Sequence, residues 1–410
     1  MANLYDYLAW RGDIALTHAG LNEVDSLIFS WLSYVEWDDI LPPPGEGDPL
    51  PLRECAEKYF ACHPLPEKNA AQAIIPAVAA EALLHRIASQ PRFENILLCG
   101  FVNELDPENE KQFAALTFLW GDQAFVAFRG TDTTFVGWKE DFFLCLSDAV
   151  PAQIAAVAYL ARVPELSGKR LFLGGHSKGG NLAVFAGVKC APEYAMHIET
   201  IYNFDGPGFP AAFIQSEDYF RMLPRIHTLL PQGSVVGLLL EHQESHTIIK
   251  SASLGLFQHL SVYWEVLGKE FVREKELSGV SVLLDKTLKE WLSAQDDESK
   301  RNFINLIFSL LSATGAARFE ELSEDGLRRL FRAMRALTEL EGKQMIMIGR
   351  AVMLLIKACN NTLYQAVATP GAELIRQGHQ MLQSMGEKLR EALEKFGGLD
   401  EEEQDMEYKE

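Results

Sequence analysis

The residue pattern with the clearest chemical meaning is a G-x-S-x-G motif at residues 175–179, which read Gly-His-Ser-Lys-Gly. An apolar run at 170–173 precedes the motif and another at 181–190 follows it, which predicts a strand, a tight turn and a helix in that order. In such a turn the serine hydroxyl points away from the sheet, and the glycines let neighbouring backbone pass closely. We therefore predict that Ser177 is the nucleophile of an acyl-transfer reaction.

The residue after the serine would stabilise the negative charge that develops on the substrate oxygen. The backbone N–H of Lys178 opens the predicted helix, where the helix dipole favours an anion. The alternative interpretation is a glycine-rich turn that binds a phosphate or no ligand, although residues 174–180 do not form a Walker A sequence.

A serine nucleophile needs a base, and histidine suits that role best near neutral pH. The histidines that follow Ser177 are His197, His227, His242, His246, His259 and His379. We predict His259 as the base, because it lies in a predicted loop after the last predicted strand. His246 and His242 are the alternatives, and a structural role for His259 is the other possibility.

Several segments beyond the serine motif resemble known α/β-hydrolases. They are Gly174–Gly180, Val126–Thr131 and Trp138–Phe142, together with Asp6–Leu8, Trp10–Asp13 and Asn22–Asp25 near the start. The first three resemble class 3 lipases, and the whole set, over about residues 4 to 266, more closely resembles the uncharacterised bacterial Mbeg1-like family. The resemblance implies an α/β-hydrolase fold and matches His259 to the histidine of that family.

The resemblance also implies an oxyanion donor at the end of a strand. In class 3 lipases the residue after the Phe-Arg-Gly triplet supplies such a donor, and here that residue is Thr131. A strand that ends in Gly130-Thr131 beside the turn that carries Ser177 can supply a hydroxyl and a backbone N–H together. The alternative is an ordinary polar turn with Asp132.

The carboxylate that would orient His259 departs from the class 3 lipase pattern. The turn after the predicted strand 225–230 reads Pro-Gln-Gly-Ser at 231–234 and has no carboxylate. Asp205 is the best substitute, since some lipases of this fold carry their acid one strand earlier. The alternatives are Glu241, a Ser-His dyad assisted by a backbone carbonyl, and an Asp205 that only caps the turn 205–208.

The elements that would position these residues alternate between strands and helices. Apolar runs predict strands at 95–103, 113–120, 123–128, 170–173, 200–204, 225–230 and 247–251, and helices at 27–35, 67–89, 151–163 and 181–190. The turn Gly121-Asp122 predicts a hairpin, whereas the prolines of 41–52 predict a loop.

This alternation predicts an α/β fold with a mostly parallel sheet flanked by helices and a helical C-terminal region. Together with the resemblance, it predicts an α/β-hydrolase (lipase-like) domain with an N-terminal lead-in at 1–264, a helical region at 265–397 and an acidic disordered tail at 398–410.

Composition limits the classes of partner. The 410 residues include 37 Lys and Arg against 57 Asp and Glu, for a net charge of −20, which argues against nucleic acid or an anionic membrane as the main partner. The scattered cysteines favour buried free thiols, and neither a secretory signal nor a transmembrane segment is predicted, so we expect a cytoplasmic protein. Metal-ligand spacing is not found, and no metal or cofactor is predicted.

The predicted function is that of a serine esterase that cleaves a small-molecule acyl ester through an acyl-enzyme on Ser177. The alternative is a catalytically weak or inactive scaffold of the same fold that acts as a binding or assembly module. Its C-terminal helices could then mediate self-association.

Overall fold

The computed structural model describes residues 2–64, 75–253, 255–318 and 321 of the chain. The chain divides into two compact units, Met1–Ser281 and Val282–Glu410. The first unit contains an eight-stranded sheet flanked by helices, so the α/β class predicted from the sequence is confirmed. The described part of the second unit is mainly helical.

The eight strands lie side by side in the order in which the chain forms them. They are β1 (Leu50–Pro51), β2 (Leu97–Asp106), β3 (Lys111–Trp120), β4 (Gln123–Phe128), β5 (Arg170–His176), β6 (Ile198–Phe204), β7 (Ile226–Pro231) and β8 (His246–Ile249). Pairing is antiparallel from β1 to β4 and parallel from β4 to β8. The parallel pairs need crossover connections, which the helices between the strands provide.

The α-helices of the described residues are α1 (Leu4–Arg11), α2 (Leu16–Ala19), α3 (Glu23–Leu32), α4 (Leu52–Cys62), α5 (Pro76–Ile87), α6 (Phe135–Phe143), α7 (Pro151–Arg162), α8 (Lys178–Lys189), α9 (Pro192–Ala195), α10 (Ala211–Ile214), α11 (Glu217–Met222), α12 (Gly279–Ser293) and α13 (Asp297–Ala313). None of these combines the length and the apolar content that crossing a bilayer requires.

The sheet is buried on both faces, and each strand contributes to both cores because its successive residues point to opposite sides. In β4, Phe125 and Ala127 belong to the core formed with the N-terminal helices, whereas Val126 and Phe128 belong to the core formed with α7 and α8. On the first face, the ring of Phe29 in α3 stacks on Phe118 of β3 with the ring centroids 4.4 Å apart. With both faces covered, the carboxyl edge of the parallel strands is where a site can form.

A buried ion pair holds the N-terminal helices together. The guanidinium of Arg92 donates through Nε to Asp25 Oδ1 at 2.8 Å and through Nη1 to the carbonyl of Ile14 at 2.9 Å. The hydroxyl of Tyr7 in α1 also donates to Asp25 Oδ1, at 2.7 Å. Neither charged side chain is exposed, so each depends on the other for its neutralisation.

Short strands appear where the sequence predicts other structure. Residues 41–52 are predicted as a loop, yet Leu50–Pro51 forms β1 at the edge of the sheet, where a proline is tolerated because it needs no ladder partner for its nitrogen. The predicted helical region 265–397 begins instead with an antiparallel pair, β9 (Val266–Leu267) and β10 (Glu270–Phe271). Residues 322–397 of the predicted helical region, the predicted acidic tail and His379 lie outside the described residues.

Candidate active site

Ser177 stands in a sharp turn between β5 and α8. Its φ of 58° and ψ of −134° put it in the left-handed half of backbone space, which a residue with a Cβ rarely adopts. The motif glycines are required by close backbone contacts, since a Cβ on Gly175 would lie 2.2 Å from the carbonyl carbon of Gly179 and one on Gly179 would lie 2.1 Å from Phe128 O. The Ser177 N–H donates to Phe204 O of β6 at 2.9 Å. These are the features of a nucleophile elbow.

The structure brings Asp205 and His259 together. His259 Nδ1 lies 2.6 Å from Asp205 Oδ2, and the hydroxyl of Ser234 donates to the other carboxylate oxygen. Asp205 is completely buried, whereas the side chain of His259 keeps 24% of its surface exposed. A carboxylate only accepts, so Nδ1 carries the proton and Nε2 of the neutral ring is left as the basic nitrogen.

The backbone holds Asp205 rigidly at the end of β6. Its φ is 53°, and its N–H donates to Leu229 O of β7 at 2.9 Å. The next residue, Gly206, packs against the elbow, because a Cβ there would lie 2.3 Å from Ser177 O. The elbow and the acid therefore share one end of the sheet.

His176, the residue before the serine, connects the elbow to the segment that carries His259. Its Nε2–H donates to the carbonyl oxygen of His259 at 2.7 Å, and the two ring centroids are 4.6 Å apart. Burial lowers the pKa of His176 well below its ordinary value, and His259 lowers it further whenever its own ring is protonated, so the His176 ring stays neutral. No role for His176 is predicted from the sequence, although the residue lies inside the serine motif.

Three side chains outside the motifs fix the segment around His259. Trp264 Nε1 donates to Gln258 O at 2.8 Å, and Gln258 Oε1 accepts from the Gly233 N–H at 2.8 Å. Trp31 of α3 donates to the Ser261 hydroxyl at 2.6 Å. The N-terminal helices thus position the candidate base as well as covering the sheet.

Thr131 lies beside the elbow, but its hydroxyl is engaged. A Cβ on Gly130 would lie 3.2 Å from Ser177 Cβ, which places the end of β4 next to the serine. The hydroxyl of Thr131 donates to Asp141, a residue of α6. Burial raises the pKa of Asp141 to about 6, with Lys178 opposing the shift. The oxyanion role of Thr131 stays a prediction, and its backbone N–H is the candidate donor while the hydroxyl bonds to Asp141.

The side chain of Lys178 has a structural role that the sequence did not indicate. It is 1% exposed, with Nζ 2.9 Å from Glu140 Oε2 and donating to Gln112 Oε1 at 2.7 Å. Glu140 also accepts from the N–H of Ala152 at 2.8 Å. This network ties the first residue of α8 to α6 and β3, so the backbone of Lys178 is fixed where the helix starts.

The other candidates have different surroundings. Glu241 is exposed, and its backbone pairs with Phe209. His242 contacts Glu244, and His246 is the first residue of β8. His227 is exposed on β7, and His197 lies between α9 and β6. In the part of the chain that the structure describes, no group of three or more His, Cys, Asp or Glu side chains could hold a metal ion.

Fold and site together define an α/β protein with an elbow serine and, at the carboxyl edge of its sheet, a histidine paired with a buried aspartate. The Mbeg1-like family matches residues 87–309, a span that exceeds half of the chain and includes all these residues, and the chain belongs to that family. Comparison with curated proteins and with solved structures gives no match.

Proposed function

We propose that the protein is a serine hydrolase that cleaves carboxylic esters. The observation that carries the proposal is the bond of 2.6 Å between His259 Nδ1 and Asp205 Oδ2, formed by segments that pack against the Ser177 elbow. The turn after β7 has no carboxylate, which favours the inactive scaffold, whereas the contact of Asp205 with His259 favours the hydrolase.

The reaction would proceed in two halves. Ser177 Oγ attacks the ester carbonyl while His259 Nε2 takes the hydroxyl proton, and the carbonyl electron pair moves onto oxygen to form a tetrahedral oxyanion. Collapse of this species expels the alcohol, which receives the proton from His259, and leaves an acyl group on Ser177. Water then repeats the sequence on the acyl-enzyme and releases the carboxylic acid.

Asp205 would stabilise the imidazolium that exists in both halves. It is buried and also accepts from Ser234, so its negative charge is fixed in position before the reaction begins. The backbone N–H groups of Lys178 and Thr131 are the proposed oxyanion donors. The Lys178–Glu140 and Thr131–Asp141 contacts hold their two residues in place.

Exposed aromatic side chains favour a substrate with an apolar acyl chain. Trp138 and Phe142 of α6 are 44% and 49% exposed, and Phe257, two residues before His259, is 54% exposed. These residues belong to the segments that follow Thr131 and precede His259 in the chain. An acyl chain bound near the serine would bury part of this surface.

Hydrolysis of p-nitrophenyl esters of increasing chain length by the full-length protein tests the proposal. We expect turnover that depends on chain length and is lost in Ser177→Ala, whereas Ser167→Ala, outside the site, keeps it. Equal rates for wild type and Ser177→Ala would remove Ser177 as the nucleophile.

A further inference from the structure

A second histidine–carboxylate pair, this one with both side chains buried, lies beside the turn that supports Asp205. His242 Nδ1 is 3.0 Å from Glu244 Oε1, and its Nε2 is 2.8 Å from the carbonyl oxygen of Gly237. Both side chains are only 4% exposed. The reaction proposed above does not use this pair.

The contacts of His242 require a proton on each ring nitrogen, because both atoms that face the ring are acceptors. Glu244 is arranged to remain ionised beside such a ring, since it accepts hydrogen bonds from the hydroxyls of Thr228 and Tyr219. Burial alone would raise the pKa of Glu244, but His242 and the two hydroxyls lower it to about 2. An imidazolium–carboxylate pair is therefore the arrangement that satisfies every polar atom.

Gly237 connects this pair to the candidate acid. A Cβ on Gly237 would lie 2.4 Å from Asp205 Oδ1 and 3.0 Å from Ser234 Oγ, so this backbone packs directly on the carboxylate. Ser234, in the same turn, donates to Asp205 Oδ1. Movement of Gly237 would thus change both its own packing against Asp205 and the hydrogen bond from Ser234. These are the two contacts that leave Asp205 Oδ2 directed at His259.

Backbone hydrogen bonds also join the turn after Asp205 to residues 239–241, which lie between Gly237 and His242. Gly208 N–H donates to Leu239 O at 2.8 Å, and Phe209 and Glu241 exchange two backbone hydrogen bonds. Leu240, between these partners, has a φ of 65°, which is strained for a residue with a branched side chain. A strained segment keeps its conformation only when its surroundings fix it, and His242 supplies one such contact.

We propose that His242 is a positioning residue that, by donating to Gly237 O, holds residues 234–238 against Asp205 and so keeps the carboxylate aligned with His259. The kinetic consequence of this role rests on the proposed hydrolase function. The alignment of Asp205 with His259 does not depend on that function and can be measured without turnover.

Two substitutions at His242 separate its two hydrogen bonds. His242→Gln extends an amide to the position of Nε2 and keeps a donor for Gly237, whereas His242→Asn reaches only the position of Nδ1 and keeps the donor for Glu244. We expect fluorophosphonate labelling of Ser177 to slow about tenfold in the asparagine variant, the effect of one charge-assisted hydrogen bond, and to stay near the wild-type rate in the glutamine variant. His227→Asn makes the same change at an exposed histidine of β7 and serves as the control.

Nitrogen-15 spectra of the full chain, labelled at histidine, give a readout that needs no activity. We expect both ring nitrogens of His242 to be protonated in the wild type, and the Nδ1 proton of His259 to shift in His242→Asn but not in His242→Gln. A wild-type ring without a proton on Nε2 would overturn the proposal, even if a variant failed to fold. Asparagine and glutamine variants with the same labelling rate and the same His259 resonance would also overturn it. A wild type that does not label refutes the proposed function instead, and the spectra still decide the role of His242.

Discussion

Replacing Asp205 with asparagine separates the charge of the candidate acid from its shape. Asparagine fills the same space and can accept from His259 Nδ1, but it has no charge to balance the imidazolium formed during acyl transfer. Asp205 is fully buried and lies 2.6 Å from the ring nitrogen, so water screens the interaction little. With an effective dielectric constant of about 20 and charge centres about 4 Å apart, the loss is about 4 kcal/mol, or about 10³-fold in rate.

The assay is the rate at which a fluorophosphonate labels Ser177 in the full-length protein. Ser234→Ala provides a graded comparison, because it removes one hydrogen bond to Asp205 and keeps the charge, and we expect it to slow labelling only about tenfold. Circular dichroism shows whether each variant is folded. A folded Asp205→Asn protein that labels at the wild-type rate would refute the assignment of Asp205 as the acid, and an equal loss in both variants would refute the electrostatic reasoning.

Three further changes test the parts of the fold that support the site. Gly179→Ala places a Cβ 2.1 Å from Phe128 O, so we expect the free energy of unfolding to fall by about 1–3 kcal/mol and Ser177 to remain unlabelled. Gly279→Ala, which has open space around its Cβ, should change neither the stability nor the labelling. Arg92→Met leaves Asp25 charged and buried, and we expect chemical denaturation to show a loss of about 3–5 kcal/mol that adding Asp25→Asn partly restores. The folded pKa of Asp141 is raised, so the stability that it contributes when protonated is lost as the pH rises from 3.8 to about 6. Relative to Asp141→Asn, the wild type should lose about 1–2 kcal/mol of unfolding free energy over that pH range, a figure reduced for the partial exposure of the Asp141 side chain. Curves of unfolding free energy against pH that run parallel for the two proteins would contradict this cause.

The elbow could be predicted because its requirements are local. A turn that forces φ of 58° on Ser177 needs glycines two positions away on each side, and they stand in the sequence as a motif. The flanking strand and helix are apolar runs of ordinary length, and the Gly121-Asp122 hairpin is likewise a local pattern. In each case the residues that impose the conformation are adjacent in sequence.

The network around the elbow could not be predicted, because its partners are far apart in the chain. Lys178 is an ordinary polar residue in the sequence, yet its side chain is buried against Glu140, 38 residues away. The bond from Trp31 to Ser261 joins residues 230 positions apart. Buried polar pairs of this kind leave no periodicity, and only the packing of the sheet brings them together.

The choice among the candidate acids shows the same limit. The residues alone left Asp205, Glu241 and a dyad open, since a carboxylate after a strand can equally cap its own turn. The structure directs the side chain of Asp205 to His259 because Leu229 fixes its backbone and Ser234 takes one carboxylate oxygen. His242, one of the alternative bases, is instead part of the support for that acid.

Mass analysis of the protein after fluorophosphonate treatment tests the central claim most directly. The proposed reaction predicts one adduct per folded chain, located by peptide mapping on Ser177, and its absence in Ser177→Ala and after denaturation. A folded wild-type protein that remains unmodified, or an adduct on another residue, would contradict the proposal that Ser177 is an activated nucleophile.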